Sequence, residues 1–126
     1  MNPVNEMPSI MRLAADAARH AATRQATLSV NVANADTPGF RARDVAVFAP
    51  NAGDMPLRRT RPAHLGDGPT GIRSFETTDV PADPNGNTVD LEDQILRGID
   101  AGRAHNRAVT VYRTALDIMR ASLGRR

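Results

Sequence analysis

Residues 90–123, DLEDQILRGIDAGRAHNRAVTVYRTALDIMRASL, decide the fold. Leu91, Ile95, Gly98, Gly102, His105, Val109, Tyr112, Leu116, Met119 and Leu123 recur at alternating spacings of four and three. A heptad stripe of this length predicts a helix, roughly 50 Å long, with one side set against another helix. Asp90 is placed to cap its start. Glu92 and Asp93 lie at the positive end of its dipole, and Arg120, Arg125 and Arg126 at the negative end. Gly98 and Gly102 each cost about 1 kcal/mol in a helix interior. Their place on the stripe predicts a point of close packing, the alternative being a simple bend. Arg97, Asp100 and Arg103 beside them exclude a membrane-embedded glycine motif.

The partner helix is expected over 9–34. No Gly or Pro interrupts that stretch, Ser9 follows Pro8 as a candidate N-cap, and Ile10, Ala14, Ala17, Ala21 and Leu28 repeat at helical spacing. Asp16 can pair with Arg12, Arg19 or His20 on its solvated side. Between the helices, residues 35–89 form a turn and a loop-rich segment. The part from Val45 to Thr88 holds six of the nine prolines and five of the nine glycines. Short strands fit 44–48 and 71–77. The predicted fold is mostly α: a single domain over 1–126, built as an antiparallel coiled-coil hairpin of N- and C-terminal helices (9–34 and 90–123) with a loop-rich, short-stranded insertion.

Such a chain can bury only a modest core. Aromatic residues make up 3% of it, Trp is absent, and the first stripe is mostly alanine, whose burial contributes little per residue. It is expected to complete its order by assembling with neighbours. There is no cysteine, hence no disulfide framework and no thiolate site. The N-terminus lacks the basic and apolar regions of a secretory signal, and no apolar run reaches the length of a membrane span. The sequence pI of about 10.3 suggests nucleic acid, but the formal net charge is only +2. All sixteen basic residues are arginine, which keeps the pI high while the charges nearly cancel. An arginine-rich nucleic-acid-binding hairpin is the alternative reading, and Arg58, Arg59 and Arg61 form its one cluster.

Catalytic and metal constellations are not found. His20, His64 and His105 have no partners at ligand spacing, and His105 reads as a packed residue on the stripe. A hydrolase built on His64 near acids is motivated by that residue alone. The glycines of residues 66–71 lack the Lys-Ser/Thr of a phosphate loop, and the acids of residues 77–90 lack the ordered spacing of a calcium loop. No catalytic, cofactor or metal residue is assigned.

What remains is NVANADTPGF, residues 31–40. Asn31 and Asn34 can satisfy orphan backbone groups as the first helix ends. Pro38 presets φ, Gly39 permits the turn, and Phe40 supplies a large apolar anchor. With its flank, NVANADTPGFRARDV resembles the signature of the bacterial flagellar rod and hook axial proteins, Asn-aliphatic-Ala-Asn followed by Thr-Pro-Gly-aromatic. Ala35 and Asp36 before Thr37, and RARDV after Phe40, are similar to the proximal-rod members. RTRPAHL, through Thr60, His64 and Leu65, resembles the family's mid-chain element. NGNTVDLEDQ (85–94) resembles its entry into the C-terminal helix. Val32, Phe40 and Arg41 depart mildly from the usual Ile, Tyr and Lys, and residues 51–57 match nothing.

This resemblance implies a structural, non-enzymatic subunit of the flagellar basal body that needs no cofactor. It implies export unfolded through the flagellar type III apparatus without a cleaved signal peptide, and helical polymerisation into a periplasmic rod. That rod would transmit torque and enclose the axial export channel. The partners implied are further copies of the chain, the proximal rod proteins FlgC and FlgF, the adaptor FliE, and membrane ring and export gate proteins. No nucleic acid and no membrane span of its own are implied. Asn31, Asn34, Asp36, Thr37, Pro38, Gly39 and Phe40 would form an assembly turn. Leu28, Leu91, Ile95, Gly98, Gly102, Val109, Tyr112, Leu116, Met119 and Leu123 would pack the helices.

Overall fold

The computed structural model describes residues 9–50 and 72–124. Helix α1 spans Ser9–Ala33, strand β1 Arg43–Val45, strand β2 Ser74–Glu76 and helix α2 Leu91–Ser122. Arg58, Arg59, Arg61, His64, the Thr60–Leu65 element, Arg125 and Arg126 lie outside the described residues.

The two helices pack antiparallel. Asn31, near the end of α1, meets Gln94, near the start of α2. At the other end, Ile10 shares a groove with Val111, Ala115, Ile118 and Met119. The core between them is Met11, Ala14, Ala21 and Leu28 against Ala101 and Ala108. Ala14, Ala21 and Leu28 stand seven apart, as do Gln94, Ala101 and Ala108, so both helices offer one heptad edge to the seam. Alanine on both sides permits a close approach of the helices but buries little apolar area per residue.

The rotation of α2 differs from the expected stripe. Gln94, Ala101 and Ala108 lie at its buried centre, and Gly98, His105, Tyr112 and Met119 are half-buried beside it. Gly102, Val109 and Leu116 are half-buried on the flank. Leu91, Ile95 and Leu123, expected in the seam, are 49%, 59% and 82% exposed. The close-packing role expected of the glycines is not met within one chain: a Cβ on Gly98 or Gly102 would touch nothing within 4 Å. The reason is polar. Gln94 must reach Asn31 and Arg97 must reach Asp44, and the edge that carries both also carries Ala101. That edge turns inward and leaves Leu91 and Ile95, at the start of the stripe, exposed, while Val109, Tyr112 and Leu116 line a groove with Ala14 and Ala18 of α1.

β1 and β2 form a two-stranded antiparallel sheet pairing Arg43 with Glu76, Asp44 with Phe75 and Val45 with Ser74. β1 lies within the 44–48 expectation but for its first residue, and β2 lies within 71–77. After the turn at residues 34–40 the chain runs back along α1. Arg43 contacts Asn31, Asp44 contacts Arg24, and Ala46 contacts His20. His20 therefore does not pair with Asp16, whose carboxylate takes Arg19 at 2.9 Å. The His20 ring donates through Nε2 to the Ala46 carbonyl at 2.6 Å and packs tilted on Phe48 at 5.4 Å.

Candidate functional site

The end of the hairpin where α1 stops and α2 starts is closed by two interlocked turns. The first is formed by Asn34 to Phe40. Asn34 donates from Nδ2 to the Val30 carbonyl at 2.8 Å, satisfying one of the last carbonyls of α1. Its Oδ1 accepts from the Thr37 hydroxyl, and the Thr37 and Phe40 amides close successive turns onto Asn34 and Thr37. Gly39 has φ +73°, the left-handed region that a side chain disfavours. Phe40 is half-buried, and Asp36, Thr37, Pro38 and Gly39 are exposed.

The second turn, Pro84 to Thr88, docks on the first. The Asn85 carbonyl accepts the Gly39 N–H at 3.0 Å, and the Phe40 carbonyl accepts the Thr88 N–H at 3.0 Å. Gly86, at φ +85°, lies so close that a Cβ there would sit 3.4 Å from Gly39 Cα. Both positions favour glycine through their left-handed backbone, and only Gly86 also faces a neighbouring backbone.

Two buried asparagines bolt the turns to the helices. Asn31 and Asn87, each 1% exposed, are the largest fully buried side chains among the described residues. Asn87 donates both amide hydrogens, to the Asn34 carbonyl at 2.9 Å and the Thr37 carbonyl at 2.7 Å, while its Oδ1 accepts the Val89 N–H. Asn31 does not cap its own helix, as the sequence suggested. It pairs with the Arg43 backbone like a strand residue, donating to the carbonyl at 2.7 Å and accepting the N–H at 3.1 Å, and it donates to Gln94 Oε1 at 2.7 Å. One side chain thus joins α1, β1 and α2. Among the described residues, no buried side-chain nitrogen or oxygen lacks a partner, which is the condition for a buried polar network to rigidify rather than weaken a fold.

An ionic cluster flanks the clasp. Asp44 is 4% exposed along its side chain and accepts four hydrogen bonds: Arg24 Nε at 2.8 Å, an Arg24 terminal nitrogen at 2.9 Å, an Arg97 terminal nitrogen at 2.8 Å, and the Val45 N–H at 2.7 Å. That fills the lone-pair sites of a carboxylate. Burial alone would push the carboxyl up, but the bonds from Arg24, Val45 and Arg97 outweigh it and hold the group down at about 2. Arg97 also reaches Asp93 and Asp79, each at 2.7 Å. Burial opposes its charge, yet the bonds to Asp44, Asp93 and Asp79 raise its pKa above the ordinary value. Arg24 is raised as well, chiefly by its bond to Asp44.

Asn31, Asn34, Thr37, Gly39 and Phe40 thus meet in one clasp. The helix residues Leu91, Ile95 and Gly102 lie outside it, on the flank of α2. Sequence reading missed Asn87, Gly86, Gln94, Asp44, Arg24 and Arg97 as members. The signals available were RARDV (41–45) and NGNTVDLEDQ (85–94), which hold Asp44, Gly86, Asn87 and Gln94. Arg24 and Arg97 are consumed by Asp44, and Arg41 lies 3.5 Å from Glu76, so these arginines do not form a free basic surface. Among the described residues no His, Asp and Glu cluster could hold a metal, and no helix is long and apolar enough to cross a membrane.

Comparison with known proteins matches the same region. A family model described as "Flagella basal body rod protein" matches residues 11–41, which is α1 with the first turn. The flagellar basal body rod protein FlgB of Agrobacterium fabrum is 32% identical over 98 residues, covering 70% of this chain and 72% of that protein. FlgB of Yersinia ruckeri is 32% identical over 103 residues, covering 71% and 74%. FlgB of Salmonella typhimurium is 28% identical over 129 aligned residues, covering 90% and 91%. With identity at this level across most of each protein, and the family match on the helix and turn that form the clasp, the chain belongs to the FlgB family of flagellar basal body rod proteins.

Proposed function

We propose that this chain is a structural, non-catalytic subunit of the proximal rod that polymerises helically with further copies of itself. In this reading the assembled rod transmits torque and encloses the axial export channel. Its other neighbours are FlgC and FlgF, with FliE, the membrane ring and the export gate at the base. The subunit reaches the periplasmic rod through the flagellar export apparatus.

The observation that carries the reading is a division of labour on α2. Its small-residue edge builds the subunit, and the clasp fixes where α1 and α2 end. Leu91, Ile95, Leu96 and Ile99 stay exposed on α2, and a Cβ on half-buried Gly98 or Gly102 would meet nothing within 4 Å. A repeating subunit needs both features: one reproducible geometry and an apolar surface kept for the next copy. The thin core of the hairpin also suits a chain that passes unfolded through an export channel.

The chain has no cysteine, so a single Ile95→Cys substitution reports contacts cleanly. Expressed as the sole copy in a motile host, the variant is expected to react with maleimide in the free chain and to be shielded from it in isolated basal bodies. A thiol modified as fully in the basal bodies as in the free chain would count against an inter-subunit role for this face.

A further inference from the structure

We propose that Asn85 is a spontaneous deamidation site, open to reaction when the clasp is open and shielded when it is closed. Asn85–Gly86 is the only Asn-Gly pair in the sequence. Lacking a Cβ, glycine leaves its backbone nitrogen the least hindered nucleophile toward a preceding asparagine. In the reaction the Gly86 nitrogen, having lost its proton to solvent base, bonds to Asn85 Cγ, and the side-chain nitrogen leaves as ammonia. Water then opens the succinimide at one carbonyl to give aspartate or at the other to give isoaspartate.

Asn85 is exposed to water, so access is not what protects it. Geometry is. The Gly86 N–H is held by the Asp83 carbonyl at 2.8 Å, so the nucleophile is engaged. Asn85 Oδ1 is held by the Asn87 N–H at 3.0 Å, and the Asn85 carbonyl by the Gly39 N–H. Ring closure needs the 85–86 backbone to rotate, and Gly39 Cα sits against Gly86. Reaction therefore proceeds from the opened turn, at a rate scaled by its population. The products differ in consequence. Aspartate keeps the oxygen that accepts from Asn87. Isoaspartate adds an atom to the main chain, shifting Gly86 and Asn87 off Gly39, Asn34 and Thr37.

The test incubates the full chain at mildly alkaline pH in buffer and in guanidinium chloride, followed by peptide mapping. The mass gain of amide-to-acid conversion separates Asn85 from Asp67–Gly68, which isomerises without one. Conversion at Asn85 is expected to be at least about tenfold slower in buffer, as reaction through a minor open state requires. Equal rates in the two solutions, or no conversion in denaturant, would overturn the proposal. The purified isoaspartyl form is expected to melt below the Asn85→Asp variant. Identical melting would refute the claim that isoaspartate opens the clasp.

Discussion

At the residue scale the clasp depends on side chains that act as backbone. Asn87 uses its whole amide group on main-chain partners, and Asn31 completes a strand-like pair from within a helix. Asn87→Ala strands two carbonyls and an N–H in a buried site, and should destabilise the chain by about 3 kcal/mol in chemical denaturation. Asn87→Asp, nearly isosteric, should be at least as damaging, because a charged acceptor would face two carbonyls. The two glycines should not be equal. Gly39→Ala meets only the left-handed backbone penalty of about 1–2 kcal/mol, since space around it is open. Gly86→Ala carries the same penalty and a contact at 3.4 Å with Gly39, so its midpoint should fall further. Asn34→Ala should impair swimming more than it lowers the helix content seen by circular dichroism, since it loosens the turn beyond α1 rather than α1 itself. The importance of Asn31 was legible in the sequence. Its partners were not, because they lie 12 and 63 positions away.

At the scale of elements, polar anchors set the rotation of α2. Gln94 and Arg97 fix its first turns, and the rest of the helix follows, so Ala101 and Ala108 meet α1. Ala101→Leu, at the most buried alanine of α2, should overpack the seam and cost about 1–3 kcal/mol. Asp44 ties α1, β1 and α2 together and makes their docking acid-sensitive. Its folded pKa of about 2 lies below the ordinary 3.8. Its stabilisation, about 2 kcal/mol, is therefore complete above roughly pH 4 and is lost as pH falls toward 2. Denaturation midpoints measured across that window should fall, and an Asp44→Ala chain should show a smaller drop from a lower starting stability. The heptad repeat announced two helices, and Asp90 announced the start of α2: it accepts from the Glu92 and Asp93 amides at its N-cap. The rotation was hidden because periodicity weighs hydrophobicity. It favoured Leu91 and Ile95 over the alanines, whereas the inward edge is chosen by an amide and a guanidinium whose partners belong to other elements.

For the whole molecule, the antiparallel pairing of terminal helices was legible from two stripes in one short chain. The return of the chain along α1 was not, since it depends on Arg24, His20 and Asn31 finding Asp44, Ala46 and Arg43. The result is a hairpin locked at one end, with Leu91, Ile95, Leu96 and Ile99 exposed on α2. The central claim is that the outer stripe of α2 serves the assembly and not the subunit. It is tested most directly by counting subunits in basal bodies purified from cells whose sole copy carries Ile95→Asp, with the melting temperature of the free variant as the control. The account predicts a free chain that melts with the parent and is missing from the rod. Normal incorporation of the variant into the rod would contradict it.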